Sequence, residues 1–373
     1  MSKFHILCVV GARPNFMKIA PIMRALAEHP DLHGSLLHTG QHYDAAMKQS
    51  FFDQLSIPEP DIDLEVGSGS HSEQTANIML RFEPVLLEMK PDAVLVVGDV
   101  NSTVACALVA AKHGVPIIHV EAGLRSFDRA MPEEVNRVLT DQMSDLLYTT
   151  ERDAIANLER EGIDVNRVEF VGNVMIDTLL FNLPKAVPAS KTLVPVSEGA
   201  LQRYALLTLH RPSNVDDAQT LTNLVTVLLD LHQDTPLVFP VHPRTKKQLI
   251  ASNNLERLRD AGVVLLEPQG YHQMLGLMRD ACVVMTDSGG IQEETTALGV
   301  PCLTLRENTE RPITVTEGTN TVVGTSTDAI RQAHKALLAG NGKAGRQPEF
   351  WDGRAAQRIA DHLATQLSQG IVS

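Results

Sequence analysis

Short apolar runs alternate with helical patterns along nearly the whole chain, and this alternation restricts the fold more than any other feature. Helical patterns such as Ser102–His113 follow runs such as Ala93–Val97, which contain no polar residue. Strands that are apolar throughout are typical of parallel sheets with helices on both faces. The pattern therefore predicts an α/β fold built from doubly wound sheets. The strands predicted in the first half are Phe4–Val10, Ser35–Thr39, Ala93–Val97, Pro116–Val120 and Asp145–Thr149.

A proline-containing segment interrupts the alternation near the middle of the 373 residues. Leu183–Gly199 has neither a helical nor a strand period, so we predict that it is a linker. The chain length also favours two domains. We predict an N-terminal domain at 1–172, a C-terminal domain at 173–350 and a helix within 351–373. The pattern leaves open which domain this helix packs on, and a return to the N-terminal domain is one interpretation.

The composition argues against several classes of protein. The net charge of −13 and the aromatic content of 4% disfavour nucleic-acid binding, which needs a basic face and often aromatic platforms. The first apolar run ends at Val10 and no later run is long enough to cross a bilayer, so we expect no membrane partner. The four cysteines form no CxxC pair, which is typical of reduced core thiols. We therefore expect a cytoplasmic protein.

Polar residues cluster where predicted strands end, and doubly wound sheets bind ligands at the carboxyl ends of their strands. Two such domains are expected to face each other across a cleft. The turn after the first strand lacks the GxGxxG pattern of a dinucleotide site, so we expect no nicotinamide cofactor. The same turn contains Arg13 and Lys18, whose charges suit an anion. The alternative is that both are solvated surface charges. Residues 39–44, after the second strand, are further candidates for the cleft.

Carboxylates follow two further strands of the first half. Asp99 and Glu121 stand at the ends of apolar runs, where burying an unpaired charge is costly. Glu133 and Glu134 lie at the start of the next predicted helix. We predict that these carboxylates converge at the mouth of one sheet and act as acid and base. Two alternatives stay open: Asp99 caps the following helix, and the two glutamates compensate a helix dipole.

The second half repeats this arrangement with cations and glycines. His210 and Arg211 follow one predicted strand. The run Ser288-Gly289-Gly290 lies between a strand and a helix, where backbone N–H groups are open to an anion. Glu294 follows within two turns, where a carboxylate can accept hydrogen bonds from ribose hydroxyls. Together these residues predict a nucleotide site.

In these motifs the chain resembles the non-hydrolysing UDP-N-acetylglucosamine 2-epimerase family. The motifs, in chain order, are GARPNFMK, GDVNST, HVEAGLRS, MPEEVNR, LHRPSN, TDSGGIQEE and ERP at Glu310–Pro312. The resemblance covers nearly the whole chain. It implies two Rossmann-like domains facing a cleft in the glycosyltransferase-B-like arrangement, usually as a homodimer. It also implies a UDP-sugar as the small-molecule partner, with no cofactor and no metal.

The resemblance also implies roles for individual residues. Asp99, Glu121 and Glu133 match the family's essential carboxylates, and His210 is placed near the diphosphate as a fourth catalytic residue. The implied reaction eliminates UDP in the anti sense to give a 2-acetamidoglucal, and adds UDP back after protonation of the opposite face of C2. The residues expected to bind UDP or substrate are Arg13, Lys18, His210, Ser288, Gly289, Gly290, Glu294 and Arg311.

Several alternatives stay open at this stage. The forms GARPxF, HTGQHYD and SFxxxMPEE also resemble the branch that acts on UDP-2,3-diacetamido-glucuronic acid. The segment Val66–Ser72 carries no arginine, which leaves open whether the chain has the allosteric UDP-sugar site that many bacterial members form in this region. The other interpretations are a glycosyltransferase on the same architecture, a hydrolysing epimerase and a non-catalytic UDP-sugar sensor.

Overall fold

The computed structural model describes residues 3–40, 55, 57–193, 201 and 203–370, with the backbone alone at Arg13. Of the polar residues predicted after the second strand, 41–44 lie outside this range. Within the described ranges, no helix is both long and apolar enough to cross a membrane.

The chain divides into two compact units. The first consists of Met1–Phe181 together with Glu349–Ser373, and the second of Asn182–Pro348. The boundary after Phe181 lies beyond the predicted one at 172, because the helix at Val174–Asn182 is tied to the first unit. Thr178 Oγ1 in this helix donates a hydrogen bond to the carbonyl of Met17 at 2.6 Å.

The first unit is built on a seven-stranded parallel sheet. Its strands are β1 (Phe4–Val10), β2 (Leu32–His38), β3 (Ile62–Asp63), β4 (Ala93–Val97), β5 (Ile117–Ala122), β6 (Leu146–Thr149) and β7 (Val168–Phe170). Their order is β3-β2-β1-β4-β5-β6-β7. The chain therefore winds outward from β1 in both directions, which confirms the predicted doubly wound sheet.

Helices follow most of these strands and bury their apolar faces on the sheet. They are α1 (Arg13–Glu28), α2 (His71–Met89), α3 (Asn101–Lys112), α4 (Pro132–Met143), α5 (Arg152–Arg160), α6 (Val174–Asn182) and, near the C-terminus, α16 (Ala355–Ser368). One core cluster contains Leu7 and Val94 of the strands with Phe82 of α2, all of them fully buried. Helix α2 begins in a capping box, because Ser70 and Glu73 each bond the backbone N–H of the other.

The C-terminal helix belongs to the first unit and packs on α1. Its first turn is bound by a buried carboxylate: Asp177 of α6 accepts hydrogen bonds from the backbone N–H groups of Ala355 at 3.1 Å and Ala356 at 2.7 Å. Just before it, the buried Trp351 donates from Nε1 to the carbonyl of Thr150 at 3.2 Å. The first unit is therefore assembled from both ends of the chain.

The second unit has the same design on a smaller, six-stranded parallel sheet. Its strands are β8 (Ala205–Thr208), β9 (Leu237–Pro240), β10 (Val264–Leu266), β11 (Val283–Thr286), β12 (Cys302–Thr304) and β13 (Asn320–Val322). Their order is β10-β9-β8-β11-β12-β13, which is again doubly wound. The helices are α7 (Ala189–Leu193), α8 (Pro212–Val215), α9 (Ala218–Asp234), α10 (Pro243–Ala251), α11 (Asn254–Asp260), α12 (Tyr271–Asp280), α13 (Gly289–Leu298), α14 (Pro312–Thr316) and α15 (Thr327–Leu338).

The predicted linker is partly helical, so that prediction is wrong for its first half. A 3₁₀ turn at Leu183–Lys185 leads into α7. Helix α7 is docked on α12, because Ala189 N–H donates to Asp280 Oδ2 at 3.0 Å. A Cβ on Gly276 would lie 1.7 Å from the carbonyl oxygen of Val187, so this glycine permits the close approach of the two segments.

Candidate active site

The carboxyl ends of β4 and β5 lie side by side at one edge of the first sheet. Val97 of β4 is paired in register with Val120 of β5. Asp99 and Glu121 follow these two residues along the chain. Two carboxylates that belong to separate sequence motifs therefore stand at the ends of adjacent strands.

Asp99 is paired with a cation that the sequence patterns did not predict. Its Oδ2 accepts a hydrogen bond from Nη2 of Arg137, and Asn136 Nδ2 donates to the Asp99 carbonyl at 3.0 Å. The side chain of Asp99 is 19% exposed, so a ligand can reach it. The residue at the N-cap of α3 is Val100, so the interpretation that Asp99 merely caps this helix is wrong.

Glu121 adopts a backbone conformation that is rare outside glycine. Its φ is +75°, and the pairing of β5 with β6 shifts register between Val120 and Ala122, so Glu121 forms a bulge. Backbone strain of this kind costs on the order of 1–3 kcal/mol and is concentrated at functional sites. The side chain is only 2% exposed, and its Oε1 accepts a hydrogen bond from Lys18 Nζ at 2.8 Å.

Lys18 is buried, so the interpretation that it is a solvated surface charge is wrong. Gly98 leaves the space that its ammonium occupies, since a Cβ there would lie 2.7 Å from Lys18 Nζ. The observed partner of Lys18 is the Glu121 carboxylate, and contact with a bound anion stays a prediction. Arg13 is the first residue of α1, but its side chain is outside the described part, so its role also stays a prediction.

The two glutamates at the start of α4 have different environments. Glu134 is buried, and its carboxylate accepts hydrogen bonds from the backbone N–H groups of Ser126 and Phe127, each at 2.9 Å. It also accepts from Arg137 Nη1 at 2.8 Å, so Arg137 joins Glu134 to Asp99. Glu133 is half-buried and has no ion pair within the described part of the chain. Arg137 lies three residues after Glu134, and the MPEEVNR motif that contains both was the sequence signal for it.

In the second unit, His210 follows β8 and is oriented by a buried aspartate. Its Nδ1 lies 2.8 Å from Asp287 Oδ1, while the imidazole itself is 40% exposed. Asp287 also accepts from the backbone N–H groups of His210 at 3.0 Å and Arg211 at 2.9 Å. Burial raises the pKa of Asp287, but its hydrogen bond with His210 and the charge of that imidazole outweigh burial and leave the pKa below its ordinary value. His210 therefore presents Nε2 outward, with Asp287 able to stabilise an imidazolium.

The glycine turn after β11 begins α13 beside a cluster of charges. Ser288 is the N-cap residue, and Gly289 and Gly290 are the first helical residues. A Cβ at Gly289 would lie 2.6 Å from Glu310 Oε1, so a larger residue here would displace that carboxylate. Glu310 Oε2 lies 2.9 Å from Arg306 Nη2. Arg306 Nη1 is buried without a hydrogen-bond partner among the described residues, and a buried donor in that state favours an acceptor on a ligand.

Two neighbouring glutamates of α13 extend this cluster. Glu293 Oε1 lies 3.0 Å from Nε of Arg311, and both side chains are buried. Glu294 Oε1 accepts a hydrogen bond from the hydroxyl of Tyr271 at 2.9 Å. Burial raises the pKa of Glu294 to about 7, with a further contribution from the charge of Glu293, and the Tyr271 hydrogen bond offsets part of this rise. The second unit thus combines backbone N–H groups, arginines and a buried carboxyl group at the carboxyl edge of its sheet.

The two sets of residues support different chemistry. The first unit presents carboxylates held by buried cations, which suits proton transfer. The second presents donors suited to phosphate oxygens and a carboxyl group suited to hydroxyls. Strand and helix periodicity does not indicate that Arg137 pairs with Asp99 or that Asp287 orients His210, because the two members of each pair are remote in sequence.

Comparison with known proteins agrees with these observations. The model of the UDP-N-acetylglucosamine 2-epimerase family matches residues 24–364. A UDP-N-acetylglucosamine 2-epimerase of Methanocaldococcus jannaschii is 43% identical over 359 residues, covering 94% of this chain and 96% of that protein. A UDP-2,3-diacetamido-2,3-dideoxy-D-glucuronate 2-epimerase of Pseudomonas aeruginosa is 41% identical over 363 residues, which cover 96% of this chain and 99% of that protein. The crystal structure of the M. jannaschii UDP-GlcNAc 2-epimerase with UDP-GlcNAc and UDP superposes with a TM-score of 0.88 at 41% identity, over 97% of this chain and 100% of that chain.

Proposed function

Because the chain belongs to the UDP-N-acetylglucosamine 2-epimerase family, we propose that it inverts C2 of a UDP-linked N-acetylated amino sugar, interconverting UDP-GlcNAc and UDP-ManNAc. One observation carries this proposal beyond the family assignment. Asp99 and Glu121 stand at the ends of adjacent strands, each held by a buried cation, Arg137 and Lys18 respectively. An inversion at carbon needs such a pair, since one group removes a proton and another returns it to the opposite face.

The proposed reaction proceeds by elimination and re-addition. The C2 proton adjoins no carbonyl and is not acidic, so its removal is coupled to loss of UDP from C1. The C2–H and C1–O bonds break, a C1=C2 double bond forms, and the electron pair of the C1–O bond leaves with UDP. A proton then adds to the opposite face of C2, and UDP attacks C1 again. Asp99, Glu121 and Glu133 are the proposed acids and bases.

In this proposal the second unit holds the departing UDP. The N-terminus of α13, formed by Ser288, Gly289 and Gly290, offers backbone N–H groups to the diphosphate, and His210 is a further donor. The free Nη1 donor of Arg306 supports an anion in this region. Glu294 is the proposed acceptor for ribose hydroxyls, and Arg311 beside it is held by Glu293. Arg13 and Lys18 stay proposed contacts of the substrate.

A second substrate has specific support. The P. aeruginosa relative, 41% identical over nearly its whole length, is named for UDP-2,3-diacetamido-2,3-dideoxy-D-glucuronate. Its identity to this chain is close to that of the M. jannaschii relative, at 43%. The same elimination would apply to either sugar, because both carry an acetamido group at C2 and UDP at C1. A homodimer and a cytoplasmic location stay predictions.

Proton NMR of the purified protein with UDP-GlcNAc in D₂O tests the reaction directly. We expect the manno epimer to appear with deuterium at C2, since the returning proton comes from a group that exchanges with solvent. If UDP-GlcNAc is unchanged, the diacetamido uronic acid substrate is tested in the same way. Accumulation of UDP and free sugar would indicate a hydrolysing enzyme. Turnover only after an acceptor is added would indicate a glycosyltransferase, and binding of the UDP-sugar without any chemical change would indicate a sensor.

Variants of the two carboxylates test the assignment of roles. We expect Asp99→Asn and Glu121→Gln to abolish turnover and to leave UDP affinity, measured by isothermal titration, within about threefold of the wild type, because UDP is assigned to the second unit. His210→Ala should instead weaken UDP binding, because its imidazole is a proposed donor to UDP. Loss of UDP affinity with retained turnover in both carboxylate variants would contradict these roles.

A further inference from the structure

The strained backbone at Glu121 raises the question of what holds it in place. A residue at positive φ persists only where the surrounding structure fixes its neighbours. His119 and Gly123 lie two residues before and two residues after Glu121. The buried carboxylate of Asp141 in α4 binds both of them, at the His119 side chain and at the Gly123 backbone N–H. Asp141 and His119 are both completely buried.

His119 links this carboxylate to the neighbouring strand. Its Nδ1 lies 2.6 Å from Asp141 Oδ1, and its Nε2 lies 2.8 Å from the carbonyl oxygen of Gly98. A carbonyl oxygen only accepts, so Nε2–H donates to Gly98. The other ring nitrogen, Nδ1, faces the Asp141 carboxylate, so both nitrogens of the ring have a partner. Gly98 directly precedes Asp99, so the imidazole connects Asp141 to the turn that places the second catalytic carboxylate.

Asp141 is ionised and fully occupied in this arrangement. Its Oδ2 accepts from the backbone N–H of Gly123 at 3.1 Å and lies 2.7 Å from Arg125 Nη2. Arg125 is fixed in turn by Glu161, to which its Nε donates at 2.8 Å. Burial alone would raise the pKa of Asp141, but the charges of His119 and Arg125 outweigh it and leave that pKa below its ordinary value.

We propose that Asp141 and His119 are positioning residues that fix the backbone at both Asp99 and Glu121, and so set the distance between the two catalytic carboxylates. This inference rests on the proposed function for the roles of Asp99 and Glu121. One buried carboxylate holds the residues on each side of the strained Glu121, and through His119 it holds the carbonyl before Asp99. Neither Asp141 nor His119 contacts substrate in this proposal, and both act through the backbone.

The chain provides a control at the other end of the same strand, in the exposed residue Asp145. Asp145 Oδ2 accepts a hydrogen bond from the backbone N–H of Ile117 at 2.8 Å, at the amino end of β5. Asp145→Asn therefore weakens a carboxylate-to-backbone bond of the same strand without touching the edge that carries Glu121. Asp141→Asn removes the buried negative charge that pairs with Arg125 and faces the His119 ring, so the contacts that hold these two side chains become weaker.

Steady-state kinetics with UDP-GlcNAc, or with the diacetamido uronic acid substrate, test the proposal. We expect Asp141→Asn and His119→Gln each to lower kcat about 100-fold, the cost of misplacing reacting groups by about 1 Å, with KM within about threefold. The double variant should lose about as much as either single variant, because the two side chains act as one unit. Asp145→Asn should keep kcat within about twofold. A kcat within threefold of the wild type in both single variants, or losses that multiply to about 10⁴, would overturn the proposal.

Amide hydrogen exchange followed by mass spectrometry provides a readout that does not depend on activity. Asp141→Asn and His119→Gln should both accelerate exchange in peptides containing 98–101, and Asp141→Asn also in those containing 121–124, while Asp145→Asn should affect only the region of Ile117. Unchanged exchange at 98–101 in both variants would show that His119 does not hold that turn, and would refute the proposal. If the wild type epimerises neither sugar, the proposed function fails, and the exchange pattern still decides whether Asp141 and His119 fix these two backbone segments.

Discussion

Replacement of Glu294 by glutamine should make the protein more stable at alkaline pH. Burial raises the pKa of Glu294 from its ordinary 4.5 to about 7, so the folded chain binds a proton that the unfolded chain releases between these two values. Stability is therefore lost as pH rises from 4.5 to 7, and the loss is complete above pH 7. Since one pKa unit corresponds to about 1.4 kcal/mol, the ionised carboxylate costs the fold about 3 kcal/mol at pH 8. Glutamine keeps an oxygen that accepts the hydrogen bond from Tyr271.

Differential scanning calorimetry at pH 5 and pH 8 measures this effect. At pH 8 the Glu294→Gln variant should gain about 3 kcal/mol, equivalent to roughly 6–12 °C in the melting temperature of a unit of this size. At pH 5 the gain should shrink to about 1 kcal/mol, because the wild-type carboxyl group is then neutral in the folded chain.

Glu310 is the matched control, because it is buried in the same unit but its pKa is shifted in the opposite direction. Burial raises its pKa, but the charges of Arg311 and Arg306 outweigh burial and lower it to about 2. The ionised Glu310 therefore contributes stability above pH 4.5, and this stability is lost as pH falls towards 2. Glu310→Gln should destabilise the protein at pH 8. If Glu294→Gln gained no more stability at pH 8 than at pH 5, or if both variants shifted the melting temperature in the same direction at pH 8, the reasoning would be refuted.

Three further predictions concern the candidate active site. Arg137→Met removes the cation of Asp99 and Glu134, so turnover in the NMR assay should fall at least about 100-fold and calorimetry should show a loss of about 3–5 kcal/mol; unchanged turnover would exclude Arg137 from the site. Asp287→Asn should weaken UDP about tenfold in isothermal titration, because His210, a proposed donor to UDP, loses the carboxylate that orients it; unchanged UDP affinity would contradict this role. Gly289→Ala should weaken UDP about tenfold in isothermal titration, since its Cβ would lie 2.6 Å from a carboxylate oxygen.

The long buried strands were predictable from the sequence, whereas the short edge strands were not. Phe4–Val10 and Ala93–Val97 have the predicted bounds, because apolar runs covered on both faces have no other common explanation. Val168–Phe170 and Asn320–Val322 are edge strands of three residues with partly exposed or polar side chains. Such strands form because a neighbouring strand offers its backbone groups, and their own pattern contains little information about that pairing.

The candidate site was predictable in its residue types but not in its pairings. An aspartate or glutamate at the end of an apolar run needs a partner, which is why Asp99 and Glu121 were identified. The partners themselves, Arg137 and Lys18, are remote along the chain and become neighbours only when the strands and helices pack. Asp141 is a further case, because a carboxylate inside an amphipathic helix pattern is ordinarily a solvated residue and this one is completely buried.

The return of the C-terminal segment to the first unit has a consequence for how the protein is made. A ribosome synthesises roughly 5–20 residues per second, so the whole of the second unit emerges during a period of about ten to thirty seconds before α16 is available. Throughout that period the surface of α1 that α16 will cover, and the buried carboxylate of Asp177 that will bind its first turn, are open to solvent. The first unit to leave the ribosome is therefore the last to be completed. A nascent chain stalled before Trp351 should depend on chaperones more than the finished protein does.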